Sequence, residues 1–337
     1  MAATIRDVAR VAGVGLGTVS RVINNSPLVS QATRQRVLDV IAELRYNPSQ
    51  IARSFSLGKT LTVATIAPFF TRPSVVERLR GIEAALASGG YALVVFNVET
   101  RARRDNCLRD VPRSQRADGL LIISLAPQPD EVLALQETRL PVVLIDAYAD
   151  SLPGVTIDDV AGGALATEYL IALGHRRIGF IGDLIADEMS FNFTSSRHRL
   201  EGYQQALVAA GIPPRDEYQR HGLHGRYEAR VLARDLLELP EPPTALFAAS
   251  DTQAMGVLEA ARDLNLAVPD QLSVIGFDDI DVAEYLGLTT IRQLLFESGE
   301  RGVELLLKRI ANPATKLERE YLPIELIARG TTRRIAR

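Results

Sequence analysis

Apolar side chains along the first 45 positions recur at helical spacing. Ile5, Val8, Ala9 and Ala12 fall on one stripe, so the pattern predicts a helix over Ile5–Ala12. Thr4 and Asp7 stand at capping-box spacing at its start, and Gly13 suits the residue that ends it. A second helix is predicted from Leu16 to Asn24, with Val19, Val22 and Ile23 turned inward. A third starts at Ser30, a good N-cap, and carries Val37, Val40, Ile41 and Leu44 at helical spacing. Two short helices joined by a tight glycine-containing turn and braced by a third make a helix-turn-helix arrangement. It leaves Thr18, Ser20, Arg21 and Asn24 on the outer face of the second helix, where such side chains reach phosphates and base edges.

The pattern changes after Tyr46. Between Asn47 and Phe55, Asn47 can cap, Pro48 suits a first helical position, and Ile51 and Phe55 lie four apart on one edge. The segment is shorter than the ~12–15 residues an isolated helix needs, so it is expected to order only against a partner. From Leu61 onward short β-branched runs alternate with amphipathic helices. Strands are expected at Leu61–Ala67, Tyr91–Asn97, Gly119–Ser124, Val142–Asp146, Ile178–Gly182, Ala245–Ala249 and Ser273–Phe277. Helices are expected at Val75–Ala87, Ala161–Leu173, Arg199–Ala210, Ala229–Leu237, Gln253–Leu264 and Ser298–Ile310. Such alternation predicts parallel sheets with helices on both faces. The number of elements calls for two sheets, with a boundary near Asp158.

Charge divides along the same line. Residues 1–59 carry eight basic and three acidic side chains and the remainder 30 and 38, so a head of +5 precedes a body of −8. That asymmetry fits a head that meets a polyanion. With 337 residues and 47% hydrophobic composition the chain suits two or three compact units. Its single cysteine, Cys107, excludes an intrachain disulfide framework and fits a reducing compartment. The opening stretch carries charges and no apolar core, unlike a secretory signal, and no apolar run approaches the ~20 residues of a membrane span. A cytoplasmic protein is expected.

In doubly wound folds ligands sit beyond the carboxyl ends of the strands. There this chain places Pro68-Phe69-Phe70, Ser124, Asp146, Ser250-Asp251 and Gly276-Phe277-Asp278-Asp279. Carboxylates, hydroxyls and aromatic rings in facing rows suit a polar, ring-shaped ligand, although an Asp after a strand is as often a helix cap. Other motifs carry less. Gly13-x-Gly15-x-Gly17 follows a helix rather than a strand, so it is not a nucleotide loop. His221 and His224 lack a third metal-type ligand and read as surface residues. Ser195-Ser196 near His198 lacks the strand–turn–helix elbow of a hydrolase, and Cys107 reads as a partly buried thiol. No catalytic residue, metal or cofactor is expected.

The stretch TIRDVARVAGVGLGTVSRVINN, followed by VSQATRQRVLDVIAELRYNPSQIARSF, resembles the head of the lactose/galactose-repressor family over nearly all of residues 4–56. In the body, Gly174-His175-Arg176-Arg177-Ile178-Gly179-Phe180-Ile181, Arg199-Leu200-Glu201-Gly202-Tyr203, Ser250-Asp251-x-x-Ala254-x-Gly256 and Ser273 to Asp279 resemble that family's effector domain, which is similar to periplasmic sugar-binding proteins. The resemblance implies an all-α helix-turn-helix head plus an α/β periplasmic-binding-protein-like (type I) domain of two doubly wound parallel-sheet lobes. It implies a helix-turn-helix domain over 1–46, a hinge helix and linker over 47–59, and an effector-binding and dimerisation domain over 60–337. Within that domain the lobe boundary falls near 158, with later crossovers near 290 and 322.

By the same resemblance Leu16 and Gly17 hold the base-reading positions. Thr4, Ile5, Thr18, Ser20, Arg21, Asn24, Val29, Ser30, Thr33 and Tyr46 contact DNA around them. Ser49, Ala52, Arg53 and Phe55 belong to a hinge helix that enters the minor groove, with Phe55 where the family usually has a wedging leucine. With two glycines beside it and no polar readout, Leu16 is expected to touch thymine methyls, leaving the rest to DNA shape. Phe69, Phe70, Ser124, Asp146, Ser195, Arg199, Leu223, Ser250, Asp251 and Asp278 are implied to line an effector cleft, with Arg199 as its clamp. The implied protein is a homodimeric repressor on a pseudo-palindromic operator, controlled by a small molecule. A sugar is the first expectation for that molecule and a purine or nucleoside the second. The C-terminus has no leucine heptads, which argues against a coiled-coil tetramer. A solute-binding protein for transport would share the body but not the basic head, and an enzyme would need a convergent acid, base or nucleophile.

Overall fold

The computed structural model describes residues 3–23, 26–46, 59–184, 191 and 193–335. The chain divides into two units, Met1–Leu61 and Thr62–Arg337, each with its own core.

The first unit packs three helices, α1 (Ile5–Ala12), α2 (Leu16–Ile23) and α3 (Gln31–Glu43). Local signals set their ends. Thr4 and Asp7 form a reciprocal capping box, the Thr4 hydroxyl accepting from the Asp7 N–H and the Asp7 carboxylate from the Thr4 N–H at 3.0 Å. Gly13 closes α1 at φ +65, which a side chain would strain. Ser30 caps α3 by accepting from the Thr33 N–H. Val8, Ala9, Ala12, Val19, Val22, Val37 and Val40 are the buried core. Asn24 and residues 47–58 of the predicted hinge and linker over 47–59 lie outside the described residues.

The second unit contains two six-stranded sheets. Its elements are β1 (Thr62–Pro68), α4 (Pro73–Gly89), β2 (Ala92–Val98), α5 (Arg101–Asp110), β3 (Gly119–Ile123), α6 (Pro129–Glu137), β4 (Val142–Ile145) and β5 (Gly154–Thr156). Then come α7 (Asp159–Ala172), β6 (Ile178–Asp183), α8 (Thr194–Ala209), β7 (Gln219–Gly222), α9 (Arg226–Leu237), β8 (Ala245–Ala248), α10 (Asp251–Asp263) and β9 (Ser273–Asp278). Last are α11 (Asp281–Tyr285), β10 (Thr289–Gln293), α12 (Leu295–Ala311), β11 (Arg319–Tyr321) and β12 (Ile324–Ile327). The strand orders are β11-β5-β4-β3-β1-β2 and β12-β10-β9-β8-β6-β7, parallel except where β12 runs against β10. Strands β3, β4, β8 and β9 are buried throughout because helices cover both sheet faces.

The chain passes between lobes three times. It leaves the first sheet after β5, returns after β10 so that α12 packs on β3, β4 and β5, and crosses again between β11 and β12. Five strands, β5, β7, β10, β11 and β12, lie outside the pattern-based expectation. β5 and β11 are three residues long, and β7 reads Gln-Arg-His-Gly with no apolar period. Helices α5, α6 and α11 are also additional to the ranges expected. Cys107 lies buried on α5 among Leu108, Val111 and their neighbours, and burial raises its thiol pKa.

Candidate functional site

In the head, α2 turns Leu16, Gly17 and Arg21 to solvent, with Leu16 46% exposed, while Thr18 and Ser20 are half-buried beside them. A Cβ at Gly15 or Gly17 would meet nothing within 4 Å, so packing within the head does not demand either glycine. Thr4, Ser30 and Thr33 sit at helix N-termini, and the Ser30 hydroxyl donates to Thr33 Oγ1 at 2.9 Å. Helix N-termini carry unsatisfied N–H groups suited to phosphate. Ile5, Val29 and Tyr46 are half-buried and pack against the head's core. Asn24, Ser49, Ala52, Arg53 and Phe55 fall outside the described residues.

In the body, the carboxyl ends of the strands of both lobes face one cleft. Ser124, Asp146, Ser195, Arg199, Ser250 and Asp278 line a cavity of about 490 Å³, part of it open to solvent. Four strand-end residues of the cleft are held at positive φ: Phe69 (+43), Ser124 (+52), Asp146 (+56) and Asp278 (+121). Backbone of this kind costs roughly 1–3 kcal/mol per residue and gathers at ligand sites.

The polar end of the cleft is a continuous network. Ser124 Oγ donates to Asp146 Oδ2 at 2.5 Å, and Asp146 Oδ1 pairs with Arg78 at 3.2 Å. Arg78 donates to Gln293 Oε1 at 3.0 Å, and Gln293 Nε2 donates to Asp278 Oδ1 at 2.5 Å. Arg199 sits opposite. Its Nε donates to Asp159 at 2.8 Å, its Nη1 to the Ala249 carbonyl at 2.6 Å, and the same nitrogen lies 3.5 Å from Asp278. Its guanidinium also stacks 3.6 Å from the centre of the Phe277 ring. Burial works against the charge on Arg199, but Asp159, Asp278 and Asp146 outweigh it and hold its pKa above the ordinary value.

An aromatic end adjoins it. Phe69, Phe191, Phe193 and Leu223 line a further space of about 330 Å³, with Phe69 and Phe191 edge to face at 5.1 Å. Arg72 lies 4.0 Å over Phe69, and burial lowers its pKa to about 10. Asp183 accepts from Gln253 Nε2 at 3.2 Å and lies 3.0 Å from His224 Nδ1. Burial pushes the Asp183 pKa up, yet His224, Arg72 and Arg199 together hold it below the ordinary carboxylate value.

Two expected lining residues are elsewhere. Phe70 is 44% exposed and lines neither of the two spaces, its N–H donating to Asn97 Oδ1 at 3.0 Å. Asp251 is completely buried beneath the cleft, where it accepts from the Ile280 N–H at 3.0 Å and from Thr290 Oγ1 at 2.6 Å. Burial and then the charge of Asp278 drive its pKa well above the ordinary carboxylate value. Arg72, Arg78, Asp183, Phe193, His224 and Gln293 line the cleft without having been expected there from sequence. His221 and His224 are half-buried rather than free on the surface, and both lean on Asp183. Among the described residues no group of three or more His, Cys, Asp or Glu is placed to hold a metal ion, and no helix is long and apolar enough to cross a membrane.

Paired carboxylates and guanidiniums offer hydroxyl groups both acceptors and planar donors. Comparison with known proteins bears on both units. The model of bacterial regulatory proteins of the lacI family matches residues 4–49, and that of the periplasmic binding protein-like domain matches residues 167–332. The ribose operon repressor of Escherichia coli is 37% identical over 337 residues, covering 98% of this chain and 99% of the relative. The HTH-type transcriptional repressor CytR of Escherichia coli is 34% identical over 336 residues, covering 98% of this chain and 97% of the relative. A lac repressor dimer bound to operator and the anti-inducer ONPF aligns with a TM-score of 0.86 at 27% identity, covering 99% and 100% of the two chains. A LacI family regulator from Enterococcus faecium with bound ribose aligns at 0.72 and 26% identity, covering 82% and 100%.

Proposed function

The chain belongs to the LacI family of bacterial regulatory proteins, and on that premise we propose that it is a cytoplasmic, homodimeric repressor whose hold on a pseudo-palindromic operator is set by a sugar-type effector. Residues 1–46 read the major groove. Leu16 and Gly17 lie against base edges, and Arg21 with the helix N-termini at Thr4 and Ser30 lies along phosphates. Residues 47–59 form a hinge that orders on the minor groove, where Phe55 is the apolar wedge. Residues 60–337 bind the effector and pair the protomers.

The observation that carries this reading is the pair of ion pairs facing one another across the cleft, Asp146 with Arg78 and Asp278 with Arg199. A ligand that engages both ties the lobes together, and differential binding to closed and open lobes is what moves a two-state switch. Taking occupancy from 1:99 to 99:1 needs about 5.5 kcal/mol of such difference. The body acts by binding and not by reaction: carboxylates already tied to guanidiniums are set to hold hydroxyls, not to move protons.

Fluorescence anisotropy on operator fragments selected from genomic DNA tests the reading, with ribose and cytidine titrated against the complex. A specific complex at about 10⁻⁸ M or tighter, shifted by ribose, is expected. Failure to select any fragment would sink the regulator. A shift with cytidine alone would favour a nucleoside effector, the second reading, which the aromatic end at Phe69, Phe191 and Phe193 supports. Phe55→Gly should abolish the specific complex and leave ribose affinity unchanged.

A further inference from the structure

The two lobes are built on one plan, and that plan gives Arg199 a counterpart. β1 and β6 hold the same place in their sheets, as do β4 and β9, and β5 and β10. Helix α4 therefore corresponds to α8, and α12 to α7. The letters repeat too: Arg78-Leu79-Arg80-Gly81 on α4 matches Arg199-Leu200-Glu201-Gly202 on α8. Both helix pairs cross at backbone contact. A Cβ on Gly81 would stand 1.9 Å from the Phe296 carbonyl oxygen, and one on Gly202 would stand 2.0 Å from that of Val160. In the reverse direction Gly299 faces the Arg78 carbonyl oxygen at 2.2 Å, and Gly163 faces that of Arg199 at 2.1 Å. Each arginine is thus pinned at its own backbone and aimed inward, Arg199 at Asp278 beyond β9 and Arg78 at Asp146 beyond β4.

The correspondence breaks at one place. Arg199 Nε donates to Asp159, which lies four residues before Gly163. Four residues before Gly299 stands Leu295. The anchoring carboxylate of the second lobe is a leucine in the first, and Arg78 Nε is buried without a hydrogen-bond partner among the described residues. A buried donor left unpaired is an incentive to rearrange.

We propose that Arg78 is the moving arm, and Arg199 the fixed arm, of a two-guanidinium clamp for a cyclic polyol gripped from both lobes. The proposal rests on the sugar reading of the cleft. With no carboxylate behind it, the Arg78 guanidinium turns about its pair with Asp146 and brings Nε to a ligand oxygen. Gln293 spans the two arms, accepting from Arg78 at 3.0 Å and donating to Asp278 at 2.5 Å, so a ligand entering between them displaces that bridge.

Calorimetry on the intact chain with D-ribose, 2-deoxyribose and 3-deoxyribose tests this. Arg78→Lys keeps a positive charge beside Asp146 but lacks the planar Nε donor, and Arg78→Gln serves as a second variant should the lysine lower the melting temperature. Both should weaken ribose about tenfold or more, and the penalty for removing one particular hydroxyl should shrink in the variants relative to wild type. Arg199→Lys is the reference and should weaken ribose at least as much. Equal weakening of all three sugars would mark Arg78 as structural and overturn the proposal. Ribose affinity within about twofold of wild type in both Arg78 variants, with Arg199→Lys impaired, would overturn it while sparing the sugar reading. No ribose binding by wild type would remove the sugar reading and this proposal together.

Discussion

The two lobes of the body share strand order, glycine-to-backbone helix crossings and an inward arginine facing a strand-end aspartate, yet they hold that arginine differently. In the second lobe Arg199 is fixed by Asp159 behind, Ala249 and Asp278 in front, and Phe277 beneath. In the first, Arg78 has Asp146, Gln293 and the Ser74 carbonyl, but no partner at Nε among the described residues. A duplicated scaffold can therefore carry one rigid and one adjustable jaw at the cost of a single side chain. Rigidity is set by what lies behind the cleft, not by what lines it.

The shared crossings are the place to break the comparison hardest. Gly163→Val and Gly299→Val each drive a side chain into a carbonyl about 2 Å away, at Arg199 and Arg78 respectively. Backbone must move in both cases, and each should lose about 3 kcal/mol or more, near the upper range for a single substitution. Urea denaturation of the intact chain checks this. If either valine is tolerated within about 1 kcal/mol, the two crossings are not equivalent and the correspondence between the lobes is wrong.

A smaller effect isolates the anchor. Asp159→Ala removes the carboxylate behind Arg199 and leaves a buried guanidinium partly uncompensated, which should cost about 3 kcal/mol. The opposite exchange, Leu295→Asp, should supply Arg78 with the partner it lacks. A lone buried Asp is normally far worse than Asn, so the sign of the difference is informative. Leu295→Asp should melt no lower than Leu295→Asn. A clearly lower melting temperature for the aspartate would show that position 295 does not stand behind Arg78.

These contrasts explain what could be read in advance. The head's limits were legible because their causes are local: the Thr4–Asp7 box, Gly13 and the Ser30 cap each act within four residues. The strand-end residues Ser124, Asp146 and Asp278 were legible because a doubly wound sheet aims its carboxyl ends at one crevice. Asp251 has the same placement at the end of a strand, but it follows Ser250, the cap of α10, into a buried first turn, so its carboxylate braces Ile280 and Thr290 instead. Arg78 was hidden for a different reason. It is one of two arginines on an ordinary amphipathic helix, and its role depends on Gln293, 215 positions away. The repeated Arg-Leu-x-Gly was the one signal available, and it gains meaning only once α4 is seen to correspond to α8. Strand β7 escaped because an edge strand paired only with β6 needs no apolar period.

The smallest expected effect belongs to the second lobe alone. His175 is buried: Nδ1 lies 2.9 Å from Thr244 Oγ1, and Nε2 lies 3.0 Å from Ser273 Oγ and 3.3 Å from the Arg333 carbonyl. A carbonyl can only accept, so the neutral ring carries its proton on Nε2, with Nδ1 accepting from Thr244 Oγ1. Burial holds the His175 pKa below the ordinary 6.5. The unfolded chain then takes up a proton that the native state refuses, so unfolding gains ground as pH falls. The contribution is present above pH 6.5 and is lost as pH drops through the lowered native value. His221, also lowered by burial, adds a slope of the same sign. The raised Asp251 carboxyl contributes a slope of the opposite sign, so the share of His175 is read as a difference: His175→Gln should lower the melting temperature at pH 7.5 and lose less of it than wild type between pH 7.5 and 5.5. An unchanged slope in that variant would mean that His175 already carries a proton in the native state, and that the amino end of the second lobe's central strands plays no part in its acid sensitivity.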